Sequence, residues 1–316
     1  MTDTERQWGI LLLSFGGPAR LEEIPAFLRN LMKREPPAQV EAEVTERYRQ
    51  LGGGSPLPET TRRQGALLQQ ALSRRGHRWP TGVGMAYAQP SIEEAVLEMA
   101  DRGVTDLVLL SLAPYRSTVS TDEYEAAALA AIAAQASQMR GHLAGDWFAH
   151  PRYIEALCER IQASFADLPP QGRDDVPILF TAHSLPLRMI EAGDPYVHQI
   201  ETTIRAIDAR IGPLNWRLAF QSRSLAANEP WLSPSAESVI EEVRAQGHTA
   251  LLVDPIGFVS DHLETLHDND IEQREKAHQL GLDFHRVACL NDSPRFIEAL
   301  VEIVEGVVER VENSDG

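Results

Sequence analysis

Three carboxylates recur at every fourth position in the stretch GFVSDHLETLHDNDIEQRE (257–275), which follows an apolar run. They are Glu264, Asp268 and Glu272. On a helix this spacing puts them on one face, where each pair of like charges costs roughly a few tenths of a kcal/mol. A divalent cation would relieve that repulsion, so the spacing favours a metal path, with a solvated helical face as the alternative.

A histidine ends the apolar run VPILF (176–180) in the sequence TAHSLP (181–186). The first half of the chain has phenylalanine or glycine at the equivalent place, so the fold does not require His183 there. A neutral imidazole can accept a proton or bind a borderline metal ion, and the sequence leaves both roles open. His262 and His267 flank the acids, but HLETLH is not the HExxH motif, and we expect both to be structural.

The elements that carry these residues form an internal repeat. PSIEEAVLEMADRGVTDLVLL (90–110) matches PSAESVIEEVRAQGHTALLVD (234–254), and HPRYIEAL (150–157) matches SPRFIEAL (293–300). Each half reads as strand, helix, strand, helix, strand, helix, and its continuous apolar runs are typical of parallel strands covered on both faces. Ser91 and Ser235 are predicted helix N-caps.

The repeat predicts an α/β protein with two similar Rossmann-like lobes, residues 1–172 and 173–316, each a parallel sheet flanked by helices. We expect a cleft between the lobes. Ligands of such sheets bind outside the carboxyl ends of the strands. The segments expected at those ends are Phe15 to Pro18, Pro114 to Tyr124, His183 to Pro186 and Pro255 to Glu264.

Composition limits the possible partners. The formal net charge of −17 at pH 7 repels phosphate backbones and anionic lipid headgroups, which argues against nucleic acid. Cys158 and Cys289 are too few for an iron–sulfur cluster or a structural zinc site of four thiolates. The N-terminus is polar, and the apolar runs are far shorter than the roughly 20 residues of a membrane span. We therefore expect a cytoplasmic protein without a membrane-embedded segment or an iron–sulfur cluster.

The chain resembles the ferrochelatase family from Phe15 to Leu300. The motifs that carry the resemblance are RYRQLGGGSPL (47–57), LAPYRSTVS (112–120), HSLP (183–186), GDPY (193–196), PIGFVSDHLETL (255–266) and NDSPRFIEAL (291–300). It is most similar to the short soluble bacterial type, which often uses coproporphyrin III. The resemblance implies a lyase of haem biosynthesis that inserts Fe²⁺ into a porphyrin with release of two protons. Iron is then a substrate, and no permanently bound cofactor is expected.

The resemblance also implies roles for individual residues. His183 and Glu264 match the family's catalytic pair and are candidate metal ligands, and Asp268 and Glu272 match an outer metal site. The positions that match porphyrin contacts are Phe15, Lys33, Arg34, Arg47, Tyr48, Ser55 and Tyr124.

Some positions depart from the family pattern. Phe15 stands where coproporphyrin-using members often have a tyrosine that ligates iron, and Met32, Ala86 and Tyr87 replace basic residues or histidine. Lys33, Arg34, Arg47 and Arg116 are candidates to bind the substrate's propionates. The length and the LAPYRSTVS loop favour coproporphyrin III, whereas Phe15 favours protoporphyrin IX. We expect the former and keep the latter open.

Two other functions compete. A related chelatase could insert cobalt into a corrin precursor or iron into sirohydrochlorin, but the GFVSDHLETL and SPL motifs favour ferrochelatase. A noncatalytic haem-binding protein could use an axial histidine, but it has no use for a path of carboxylates that carries metal ions. Besides porphyrin and Fe²⁺, a haem acceptor or a preceding pathway enzyme is an expected partner.

Overall fold

The computed structural model describes residues 6–168, 175–223 and 229–314. Its strands form two parallel four-stranded sheets. The first sheet has the order β2-β1-β3-β4 and contains β1 (Trp8–Ser14), β2 (Thr81–Met85), β3 (Asp106–Ser111) and β4 (Arg140–Leu143). The second has the equivalent order β6-β5-β7-β8 and contains β5 (Ile178–His183), β6 (Trp216–Gln221), β7 (Ala250–Asp254) and β8 (Asp283–Arg286).

Helices connect the strands in both halves. In the first half they are a 3₁₀ turn (Leu21–Glu23), α1 (Ile24–Met32), α2 (Ala38–Gln50), α3 (Leu57–Arg74), α4 (Ile92–Asp101), α5 (Thr121–Gln135) and α6 (Pro151–Asp167). In the second half they are α7 (Leu187–Glu191), α8 (Tyr196–Ile211), α9 (Ala236–Ala245), a π-helix (Glu264–Gln273), α10 (Arg274–Gln279) and α11 (Pro294–Ser314). This architecture confirms the predicted α/β fold.

The repeated helices begin where the sequence predicts. Ser91 caps α4 by accepting a hydrogen bond from the backbone N–H of Glu94, whose carboxylate bonds back to the N–H of Ser91. Ser235 caps α9 in the same way through the N–H of Ser238. Such caps contribute about 1 kcal/mol each. They fix the start of the helix that follows the second strand of each sheet.

The fourth strand of each sheet is absent from the sequence prediction. β4 and β8 are four-residue edge strands with the sequences RGHL and DFHR, and only one of these eight residues, Phe284, is fully buried. Edge strands are often short and polar, so they lack the continuous apolar run that identified the inner strands. The carboxyl ends of β1, β3, β5 and β7 do lie at the predicted segments.

The chain divides into two compact units. The first unit consists of Met1–Arg152 and Asn291–Gly316, and the second consists of Tyr153–Leu290. The first sheet falls into the first unit and the second sheet into the second unit. The lobes 1–172 and 173–316 stay a prediction. The last helix of each repeat, however, groups with the sheet of the other half. In the first unit α11 packs against α3 and β3, and Arg75 binds Glu298 and Glu305 of α11 at 2.6 Å. Similar helix sequences do not specify which sheet each helix covers.

Within the described residues, no helix combines the length and apolar character needed to cross a membrane. Cys158 and Cys289 are both buried in the second unit, and neither forms a disulfide.

Candidate active site

His183 is the last residue of β5, at the carboxyl end of the second sheet. Its Nδ1 atom lies 2.5 Å from the backbone carbonyl oxygen of Ser184. Because a carbonyl oxygen can only accept a hydrogen bond, Nδ1 is the donor, which leaves the lone pair of the neutral ring on Nε2. The side chain is 34% exposed, so a ligand can reach it.

Glu264 lies beside His183 in the same unit. Its Oε1 atom is 3.6 Å from Nε2 of His183, and its Oε2 atom is 3.8 Å from Nε2 of His262. Burial alone would raise the pKa of Glu264, but the adjacent His183, aided by His262, outweighs burial and lowers this pKa to about 2. Glu264 is therefore a carboxylate throughout the neutral range.

The acids follow one another along a π-helix, Glu264–Gln273. In this wider helix the hydrogen bonds run from residue i to i+5. Such segments are rare in proteins overall, and those that occur are often found at functional sites. The sequence predicted one uninterrupted stripe of three carboxylates. In the structure Glu264 instead faces His183 and His262, while Asp268 and Glu272 form a second group one and two turns further on.

That second group includes a histidine. The candidate ligand atoms of His267, Asp268 and Glu272 all lie within 4.8 Å of one another. Nδ1 of His267 is 3.6 Å from a Glu272 oxygen and 3.7 Å from an Asp268 oxygen. His267 and Asp268 are buried, whereas Glu272 is half exposed. One imidazole with two carboxylates is a donor set that suits first-row divalent ions such as Fe²⁺ or Zn²⁺.

The hydroxyl of Ser222 orients this group. It follows β6 directly and donates a hydrogen bond of 2.5 Å to Oδ2 of Asp268. Ser222 has a left-handed backbone conformation (φ 61°), which is uncommon for a residue other than glycine and occurs where the surroundings impose it. Outer hydrogen bonds of this kind fix the direction of a metal-binding carboxylate.

Asp261, another acid of the segment, has a structural contact. It lies 3.0 Å from Nη1 of Arg286 on β8, and Nε of the same guanidinium lies 2.8 Å from Asp270. Arg286 therefore attaches the residues before and within the π-helix to the edge of the sheet. Its side chain is only 13% exposed, so these ion pairs are protected from solvent.

Phe15 directly follows β1 in the first unit. Its ring meets Tyr87 edge-on, with 4.8 Å between centroids, and lies 6.0 Å from Phe27. The Tyr87 hydroxyl donates a 2.8 Å hydrogen bond to Glu123, and burial together with this contact raises the pKa of Tyr87. Tyr87 is therefore protonated in the neutral range.

Ser55 and Tyr48 lie against the same end of β1. The backbone N–H of Ser55 donates to the carbonyl of Pro18 at 2.7 Å. A Cβ atom on Gly17 would lie 3.0 Å from Ser55 and 3.9 Å from the Tyr48 hydroxyl. Tyr48, on α2, and Tyr124, on α5, are both buried. The structure thus brings Ser55 and Tyr48 to the predicted strand end.

The candidate cations differ in their availability. Arg116 binds Asp146 at 2.8 Å, Asp122 at 2.5 Å and Glu125 at 3.5 Å, so its charge is already compensated. Lys33 pairs with Glu123 at 2.6 Å, but its side chain is 71% exposed, and such a surface pair is easily exchanged. Arg34 is exposed and makes no ion pair within the described ranges. Arg47 is half-buried on α2.

Sequence reasoning missed four residues of the second unit. His262 and His267 were expected to be structural, yet the first lies beside Glu264 and the second beside both outer acids. The one usable signal was their position among acids spaced by four. Gln221 and Ser222, at the end of β6, carry no local signal, because only the parallel pairing of β6 with β5 brings them to the π-helix.

A family model and individual relatives of this chain agree on one family. The family model of ferrochelatase matches residues 7–307. A ferrochelatase of Deinococcus radiodurans is 35% identical over 304 residues, covering 95% of this chain and 96% of the relative. The coproporphyrin III ferrochelatase of Geobacillus kaustophilus is 33% identical over 303 residues, covering 94% of each chain.

A solved structure shares the fold at low sequence similarity. SirB from Bacillus subtilis, solved with Fe³⁺, superposes with a TM-score of 0.61 at 10% identity, covering 97% of this chain and 98% of SirB. At this identity the likeness concerns the fold alone. It agrees with the two repeated parallel sheets.

Proposed function

Because this chain belongs to the ferrochelatase family, we propose that it inserts Fe²⁺ into coproporphyrin III, with His183 and Glu264 as its catalytic pair. The observation that carries the proposal is the 3.6 Å approach of the two side chains at the carboxyl end of β5. The reaction replaces two pyrrole protons by one Fe²⁺ ion, so two protons leave for each ion that enters. A site for it needs both a proton acceptor and a place for the metal.

His183 and Glu264 meet these two needs together. Nε2 of His183 has the lone pair that either accepts a pyrrole proton or binds the entering ion. Glu264 stays ionised, so its negative charge stabilises a positive imidazolium of His183, 3.6 Å away, or a metal cation bound beside it. General acid–base groups of this kind contribute about 10²–10⁴-fold to a rate.

The group of His267, Asp268 and Glu272 is proposed to bind Fe²⁺ before insertion. Glu272 is half exposed and His267 is buried, so an ion would meet the carboxylate first and the imidazole afterwards. Glu264 lies earlier on the same π-helix and contacts His183. The order of these ligands thus leads from the exposed acid Glu272 towards the proposed catalytic pair.

The choice of coproporphyrin III rests on two supports. A relative with that name covers nearly the whole chain, and Lys33 and Arg34 offer exposed positive charge for propionates. Four propionates need more local cations than two, particularly on a chain of net charge −17. Protoporphyrin IX, with two propionates, is the competing substrate.

Anaerobic insertion assays with Fe²⁺ test the proposal. Coproporphyrin III, protoporphyrin IX and sirohydrochlorin are offered separately, and kcat/KM is measured for each. The proposal expects the highest value for coproporphyrin III. A clear preference for protoporphyrin IX would overturn the substrate, and a preference for sirohydrochlorin would favour the other chelatase class. Tight haem binding without any insertion would favour the noncatalytic carrier.

The proposal also includes a location and a partner. We propose that the enzyme works in the cytoplasm, where a reducing environment suits two buried cysteines that form no disulfide. A haem acceptor or the preceding pathway enzyme would exchange tetrapyrrole with it. Cell fractionation and affinity capture with a tagged chain, with and without porphyrin, test the two parts separately.

A further inference from the structure

Gln221 connects the two residues of the proposed catalytic pair. It is the last residue of β6, and its Cα is paired in register with that of His183 on β5. Its side-chain Nε2 donates a 2.7 Å hydrogen bond to the backbone carbonyl of Glu264. We propose that Gln221 is a positioning residue that sets the separation of His183 and Glu264.

The link to His183 runs through the backbone. The carbonyl oxygen of Gln221 accepts a 2.8 Å hydrogen bond from the N–H of Ser184. The carbonyl of Ser184 in turn accepts the Nδ1 hydrogen bond of His183. Gln221 therefore holds Ser184, whose carbonyl fixes the His183 tautomer. Because both hydrogen bonds involve the paired strands β5 and β6, Ser184 and Gln221 cannot shift independently.

The link to Glu264 runs through a buried amide. The Gln221 side chain is 3% exposed, and its Oε1 accepts from Asn269 Nδ2 at 2.9 Å and from Gln273 Nε2 at 3.3 Å. With Oε1 accepting two N–H groups, Nε2 is directed at the Glu264 carbonyl, because the amide plane is rigid. Asn269 also donates to Thr181 on β5 at 3.3 Å.

This arrangement anchors the first turn of the π-helix. Glu264 is the first residue of that helix, and the turn that encloses it is closed by hydrogen bonds from the N–H groups of Thr265 and Leu266 to the His262 carbonyl. A hydrogen bond from a sheet residue to the Glu264 carbonyl fixes the Cα from which the catalytic side chain extends. A displacement of about 1 Å at a reacting group can cost on the order of 100-fold in rate.

Gln273 provides a matched control. It is 1% exposed and belongs to the same amide network, but its side-chain hydrogen bonds are with Asn269 and Gln221 and not with the Glu264 carbonyl. Loss of either amide leaves a buried partner without its hydrogen bond, so both variants should lose a similar amount of stability. Only the Gln221 variant should lose the attachment of Glu264, because in Gln273→Met the shorter 2.9 Å hydrogen bond from Asn269 Nδ2 still orients the Gln221 amide.

The experiment compares Gln221→Met with Gln273→Met in the full-length chain. Methionine keeps the length and volume of glutamine and removes its hydrogen bonds. We expect Gln221→Met to lower kcat for Fe²⁺ insertion by about 10–100-fold while the porphyrin Kd changes less than about 3-fold. Gln273→Met should keep kcat within about 3-fold of wild type at a comparable loss of Tm.

A second readout does not depend on turnover. Hydrogen exchange of the backbone amides in 264–269 should accelerate in Gln221→Met beyond the change in Gln273→Met. Equal effects of both variants on kcat, in proportion to Tm, would overturn the positioning role, as would a Gln221→Met enzyme that keeps its kcat.

The inference rests on the proposed function, and the two can fail separately. If His183→Ala abolishes insertion while Gln221→Met is unchanged, only the positioning role fails. If His183→Ala keeps its activity, the catalytic pair itself is wrong, whatever Gln221 does.

Discussion

His183 and Glu264 face each other at 3.6 Å, at the junction of β5 and the π-helix. This separation exceeds the roughly 2.7–3.2 Å of a hydrogen bond. It is close to the distance between two ligands of one first-row ion, since bonds of about 2.1 Å at an angle of roughly 120° span the same length. The pair is thus spaced as two ligands of one ion would be.

Glu264→Gln should lower kcat for Fe²⁺ insertion by about 10²–10⁴-fold, because the amide keeps the shape but loses the charge beside His183. The carboxylate pKa of about 2 means that the wild-type residue is ionised at every assay pH near neutrality. Steady-state anaerobic assays measure the effect. Glu237→Gln, an exposed acid on α9, is the control and should behave as wild type. Turnover of Glu264→Gln within a few-fold of wild type would rule out this role.

Single alanine variants of His267, Asp268 and Glu272 should raise the KM for Fe²⁺ by about 10-fold or more and lower kcat less. The reason is that these side chains are proposed to load the ion rather than to react with the porphyrin. Initial rates over a range of Fe²⁺ concentrations separate the two constants. Glu275→Ala, on the exposed side of α10, is the matched control. If the rates of all three variants depend on Fe²⁺ concentration as in wild type, the group does not load the ion.

The sequence predicts the fold largely because the two halves repeat. Apolar strand runs and the caps at Ser91 and Ser235 define elements locally, and both caps are present. The edge strands β4 and β8 escape prediction because they are short and polar. The grouping of α11 with the first sheet is also not local information, since it depends on the packing of α11 against α3 and β3.

The same distinction applies to the candidate site. His183 and the acids can be identified because a histidine at a strand end and carboxylates spaced by four are unusual patterns. The π-helical register, the two flanking histidines and Gln221 emerge only when β5, β6 and the helix are assembled. Glutamine at the end of a strand has no distinctive sequence pattern.

The double variant Lys33→Ala/Arg34→Ala should raise the Kd for coproporphyrin III by about 10-fold and that for protoporphyrin IX less. Each lost cation removes an ion pair with a propionate, and coproporphyrin has two more propionates to bind. Fluorescence titration of both porphyrins measures the difference, with Arg49→Ala on α2 as an exposed control. An equal effect on both porphyrins would show that Lys33 and Arg34 do not determine which porphyrin is preferred.

Asp254, at the end of β7, should make stability depend on pH. Its side chain is buried, its Oδ2 accepts no hydrogen bond from the described residues, and burial raises its pKa to about 7 against the opposing effect of Arg286. Because the folded state then binds the proton more tightly than the unfolded state, the free energy of unfolding falls as pH rises from about 4 to about 7. The total contribution is at most about 4 kcal/mol.

Asp254→Asn should remove this contribution, so its stability relative to wild type should increase from pH 5 to pH 8. Urea unfolding at both values measures the change. Asp101→Asn, an exposed acid at the end of α4, should show no such trend. Parallel pH dependences of wild type and Asp254→Asn would show that Asp254 is ionised in the folded protein.

The most direct test of the catalytic pair is His183→Ala in an anaerobic single-turnover assay with Fe²⁺ and coproporphyrin III. Porphyrin binding is measured separately by fluorescence quenching, so that a loss of chemistry is not mistaken for a loss of substrate. We expect insertion to fall by about 10²-fold or more while the porphyrin Kd stays within a few-fold of wild type. Insertion by His183→Ala at a rate within a few-fold of wild type would contradict it.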